Sequence, residues 1–112
     1  MDSITDEFMR EMLGKSKPYT IVILHKTSKL SEPGMDKVVW EHGRRNFQLR
    51  KDGTLCIVCP VRDSSDISGV CIFNTDVDET KKIMDEDPGV RAGIFVYETH
   101  STRSFPGSSL SD

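Results

Sequence analysis

His42 is the residue whose type and neighbours most directly suggest chemistry. It lies in the run VVWEHGRRNF, residues 38–47. On helical spacing, Met35, Val38 or Val39, His42, Asn46 and Leu49 fall on one face. His42 and Asn46 interrupt an apolar stripe that must meet whatever the helix packs on. Buried polar groups need hydrogen-bond partners, so this placement demands one for His42. An imidazole, with an ordinary pKa of ~6.5, is also the side chain best suited to moving protons at neutral pH. The spacing leaves two readings open: a satisfied structural histidine, or an acid–base group facing a site.

Two carboxylates in the loop CPVRDSSDISG, Asp63 and Asp66, are candidate partners for that ring. A carboxylate there can orient an imidazole and stabilise its protonated form. The same residues are equally at home as turn formers. Asn46 and His25 are the candidate substrate-binding residues. His25 ends the first predicted strand and shares a face with Ile21 and Ile23, so it either lines the mouth of a pocket or stands exposed at a strand end.

Cys56 and Cys59 invite a redox or metal reading, but residues three apart in a strand point to opposite faces. No helix begins there to lower a thiol pKa. The three cysteines read best as small buried side chains. No phosphate-binding or dinucleotide fingerprint occurs, so no metal and no cofactor is expected.

The elements that must position these residues follow from the 112-residue chain, enough for one domain. A net charge of −3 argues against a nucleic-acid partner. No apolar run approaches the roughly 18 residues that cross a bilayer, and the acidic start MDSITDEFMREML is unlike a secretory signal. With an odd number of cysteines, a cytoplasmic protein is the expectation.

Ile4, Phe8 and Met12 predict a helix over 4–13, and KSKP reads as a linker. Strands are predicted over 19–26, 54–61, 69–75 and 93–99. Helices are predicted from Pro33 to Lys51 and from Asp76 to the Asp87-Pro88-Gly89 stop. Residues 1–18 are thus a helix and linker, 19–105 the main domain, and 106–112 a mobile tail. The order is β-α-β-β-α-β: an α+β, ferredoxin-like domain with a four-stranded antiparallel sheet.

Two helices cover one face of such a sheet, yet these strands are apolar on both. Ile21 and Ile23 oppose Val22 and Leu24; Ile94 and Val96 oppose Phe95 and Tyr97. Something must cover the second face. A second copy of the chain is the economical cover; the alternative is the N-terminal helix.

The pattern from Thr20 to Phe105 resembles the YCII-related family of the dimeric α+β barrel type. His42 followed by NFQLRKDGTL, the passage CPVRDSSDISGVCIF, and MDEDPGVRAGIF carry the resemblance. The last is similar to the family's Asp-Asp-Pro, Ala-Gly, aromatic signature. Cys59 departs from it, standing where the family usually has a glycine before proline. The resemblance implies a homodimer with a His–Asp pair in a pocket at the sheet–helix boundary. Carried over, the histidine is His42 and the aspartate Asp63, with Asp66 its rival. Two function classes follow. One is an isomerase or elimination lyase acting on a small organic molecule; the other is a non-catalytic dimeric binding or accessory protein.

Overall fold

The computed structural model describes residues 3–112. Its elements run α1 (Asp6–Gly14), β1 (Lys17–Lys26), a 3-10 turn (Ser28–Ser31), α2 (Met35–Lys51), β2 (Leu55–Pro60), β3 (Ile67–Phe73), α3 (Val77–Asp85), α4 (Pro88–Arg91) and β4 (Phe95–Ser104). The strands form one antiparallel sheet in the order β2-β3-β1-β4. This is the ferredoxin-like α+β fold. No helix among the described residues is long and apolar enough to cross a membrane.

Alternation along the strands sorts the sheet into two faces. Val22 and Leu24 of β1 join Leu55, Cys71, Phe73, Ile94 and Phe95 in the buried core. Met35, Val38 and Leu49 of α2 pack against that core, as do Ile83 and the buried Met84 of α3. The other face carries Ile21 and Ile23, which the register sets beside Ile72 and Val70 of β3. It also carries Val96, which is exposed. Helix α1 buries none of its own side chains, so it is not the cover for this face.

Several boundaries differ from the sequence expectation. Lys17 and Pro18 belong to β1 rather than to a linker. Pro18 is tolerated because pairing with β3 begins only at Thr20, so Pro18 lies beside β4 alone. β4 runs to Ser104, several residues past the predicted end, because Lys17–Tyr19 pair with Thr102–Ser104. The 3-10 turn and Gly34 intervene before α2, which therefore starts at Met35 and not at Pro33. Cys71 is buried, but Cys56 and Cys59 are exposed, against the expectation of three buried thiols. Both lie on the edge strand β2, where a register shift between Leu55 and Ile57 throws Cys56 outward.

Asp76 caps α3, its carboxylate accepting from the Glu79 N–H at 2.8 Å. The Asp87-Pro88-Gly89 stop does more than end that helix. Asp87 opens a further single turn, α4, with Pro88 in its first turn. Gly93, at φ 77°, then reverses the chain into β4, a backbone region that favours glycine.

Candidate active site

His42 sits on the sheet-facing side of α2, its side chain 14% exposed. Its Nδ1–H donates to both carboxylate oxygens of Asp87, at 2.8 and 2.9 Å. Asp87 is 1% exposed. It also accepts from the Gly89 N–H at 2.9 Å and the Val90 N–H at 3.2 Å. Arg45, one turn along α2 from Glu41, brings Nη1 to 3.8 Å from the same carboxylate. The buried charge is thus held by an imidazole, two helix N–H groups and a guanidinium, which is how a carboxylate survives burial.

Local sequence explains why Asp87 can do this. The residue before proline is held in extended geometry, and Asp87 has φ −64° and ψ 133°. That conformation lets its side chain fold over the N-terminus of α4 while one edge faces α2. Gly89 must be glycine. A Cβ there would lie 2.4 Å from a ring carbon of Phe95 and 3.1 Å from an Asp87 carboxylate oxygen. The Phe95 ring in turn packs on His42, centroids 4.9 Å apart and planes inclined by 53°.

With Nδ1 tied to a carboxylate, the second ring nitrogen carries the lone pair. Asn46 donates to that Nε2 from 3.3 Å, a long contact. Both residues line a cavity of about 250 Å³ between α2 and the sheet. Leu24, Val39, Phe47, Val58, Cys71 and Phe95 supply most of its wall, and Ser68 adds a hydroxyl. Apart from His42, no titrating acid or base among the described residues lines it except the Cys71 thiol. Burial pushes that thiol up to about 12, so it stays protonated and is no nucleophile at neutral pH.

The other predicted site residues fall elsewhere. The expected partnership of His42 with Asp63 or Asp66 is corrected: the carboxylate at the ring is Asp87. Asp63 closes a turn, accepting from the Ser65 N–H at 2.9 Å and from its hydroxyl at 2.6 Å. Those bonds hold its carboxyl below the ordinary carboxylate range. Asp66 lies 3.4 Å from His25 Nδ1. His25 does not line the His42 cavity, because it faces away from Leu24 across the sheet. There its Nε2 donates to Glu98 at 2.7 Å, and Glu98 accepts from His100 at 2.7 Å with its other oxygen. The Glu98 hydrogen bond raises the His25 pKa, with Asp66 adding to it against the opposing effect of desolvation.

No model of a known protein family matches the chain, and no curated protein matches it in sequence. Among solved structures, it is similar to 5-chloro-2-hydroxyhydroquinone dehydrochlorinase from Burkholderia phenoliruptrix AC1100, determined in complex with 2,5-dihydroxybenzoquinone. Identity is 18% and the TM-score 0.48, with 80% of this chain and 95% of that one covered.

Proposed function

We propose that this protein is a small-molecule enzyme in which His42 moves a proton and Asp87 positions and charge-balances it. The observation that supports this reading is the tethered imidazole. One nitrogen is fixed by a buried carboxylate, and the other stands at the wall of a cavity. In such an arrangement Nε2 takes a proton from an acidified C–H of the substrate. The carboxylate stabilises the imidazolium that results. Returning that proton to a neighbouring carbon completes an isomerisation. Loss of a leaving group from the adjacent carbon completes an elimination, with the electron pair of the broken C–H bond forming the new double bond.

The substrate class follows from the wall. An apolar lining with no Lys, Arg, Asp or Glu favours an uncharged molecule. A cavity of about 250 Å³ lies below the usual size range of ligand pockets, so the substrate is small. A homodimer in which two outer sheet faces pack together accounts for the apolar Ile21, Ile23, Val70 and Ile72. The resemblance to the YCII-related family agrees with both parts.

One observation favours the rival reading, a binding module without chemistry: Nε2 already meets Asn46. The two readings separate by proton NMR in deuterated water. The probes are small uncharged ketones, whose α-protons exchange when a base removes them. Exchange with the wild-type protein that is lost in a folded His42→Asn variant supports the enzyme. Ketones that perturb the cavity resonances without any exchange would leave the binding module.

A further inference from the structure

Besides the outer sheet face, two apolar surfaces have no partner among the described residues. The first is α1. Ile4, Phe8, Met9 and Leu13 are all exposed, and no residue of the helix is buried. Ile4 and Met9 occupy the positions before and after the Thr5 cap that often pair as a hydrophobic staple, yet both remain open to solvent. The second surface is the outer side of α2, where Trp40 is 70% and Phe47 65% exposed. With Val39, Gly43 and Arg44 these line a shallow groove. Val39, Gly43 and Phe47 belong also to the wall of the His42 cavity, so the groove adjoins it.

The helix does not use its own body as a partner. Of the two residues that join α1 to β1, Lys15 and Ser16, Ser16 is held. Arg103 donates to the Ser16 hydroxyl at 3.1 Å and to the Ser16 carbonyl at 2.7 Å. α1 therefore leaves the sheet from an anchored Ser16, with Ile4, Phe8, Met9 and Leu13 exposed.

We infer that α1 of a second copy of this chain docks into the α2 groove and roofs the His42 cavity. The two surfaces match in chemistry as well as in need. α1 carries Asp6, Glu7 and Glu11 against a single cation, Arg10. Of the cations on α2, Arg44 is paired with Glu41 and Arg45 is turned to Asp87, which leaves Arg50 and Lys51 exposed at the Phe47 end of the groove. Phe47 itself is flanked by Arg50 and Lys51. An amphipathic acidic helix laid in an apolar groove with a basic end is a familiar mode of recognition. A two-fold pair exchanges both arms at once, burying both sets of surfaces and leaving no open end. Side chains of the partner's arm then complete the wall of the cavity. The contact rests on these two faces and holds whether or not His42 carries out catalysis.

Trp40 is the one tryptophan of the chain and stands in the groove, so its emission reads the contact directly. In the intact protein, Trp40 emission should be blue-shifted and several-fold less accessible to acrylamide than in a Phe8→Asp, Leu13→Asp double variant. That variant keeps its fold, checked by circular dichroism, since neither side chain is buried. Excess Trp40→Phe chain, with its arm intact and no tryptophan of its own, is then allowed to exchange with the double variant. Recovery of shielding shows an arm acting between copies. Two results overturn the inference: Trp40 equally open in intact protein and double variant, or shielding in the intact protein that neither falls on dilution nor returns on mixing.

Discussion

Asp87 grips the Nδ1 edge of His42 with both carboxylate oxygens, at 2.8 and 2.9 Å, while the same carboxylate caps α4 through the Gly89 and Val90 N–H groups. A structural cap and the orienting partner of a candidate base are therefore one side chain. Its two duties separate by substitution. Asn keeps the cap, because its amide oxygen still accepts from the helix N–H groups. It cannot offer a second acceptor to His42 or supply a negative charge.

Asp87→Asn should therefore remain folded with a modest loss of stability, and should lose about 10²–10⁴-fold in the rate of ketone α-proton exchange. Asp87→Ala should be worse in a different way. It strands two N–H groups, an imidazole and a nearby guanidinium, which costs about 3–5 kcal/mol. Thermal unfolding and NMR exchange rates measured on both variants separate the duties. Equal exchange in Asp87→Asn and wild type would remove Asp87 from the chemistry.

Gly89→Ala should destabilise the fold without removing a polar group. The added methyl would meet Phe95 ring carbons at 2.4 and 2.7 Å, so the ring must move in a packed interior. Such overpacking costs about 1–3 kcal/mol. Each kcal/mol lowers the melting temperature by about 4–8 °C in a domain of this size. Since Phe95 also stacks on His42 and lines the cavity, proton exchange should fall along with the melting temperature. An unchanged melting temperature would contradict the close approach.

Much of this architecture was legible from local pattern. The strand alternation of β1 and the Asp76 cap translate directly into elements and faces, whereas Ile94 and Phe95, expected on opposite faces, are both buried in the core because β4 begins only at Phe95. The role of Asp87 was not legible, although it lies in the most specific motif of the chain. An Asp before Pro-Gly reads as a helix terminator, which it is. The same extended conformation also makes it the cap of a new turn and aims its carboxylate at a ring 45 positions away. Sequence spacing carries no such distance. The rival aspartates had a visible local signal: Asp63 followed by two serines is a turn in composition and a turn in structure. Alternation had also set His25 with Ile21 and Ile23, on the face opposite Leu24, so its separation from His42 was implicit. The length of β4 escaped because Thr99–Ser104 carries no apolar alternation; only pairing with the start of β1 defines it.

Cys71 should resist alkylation where ordinary thiols react. Burial drives its pKa up to about 12, leaving negligible thiolate at pH 8, and only the thiolate attacks. Mass mapping after brief iodoacetamide treatment of the folded protein should find Cys71 unmodified, and modified once the chain is denatured. Rapid labelling of Cys71 in the native state would mean that the cavity wall opens far more than this packing allows.

The His25–Glu98–His100 cluster on the outer sheet face should give stability a defined pH dependence. His25 is raised above its ordinary 6.5, chiefly by its hydrogen bond to Glu98. Its contribution is therefore complete below about pH 6.5 and disappears as pH climbs through the raised value of the folded state. Glu98 is lowered below its ordinary 4.5, first by His25 and then by His100. Its contribution is complete above about pH 4.5 and disappears as pH falls through the lowered value. Both are present together between 4.5 and 6.5. All three side chains are solvent-accessible, so the effect is screened by salt. Glu98→Gln removes the shared acceptor charge. The melting temperature of wild type minus that of Glu98→Gln, followed across pH at low salt, should peak inside this window. It should shrink on the alkaline side as the His25 imidazole loses its proton, and shrink again below pH 4.5 as Glu98 is neutralised. A difference that stays flat from pH 4 to 9 would show that these contacts do not bear on folding.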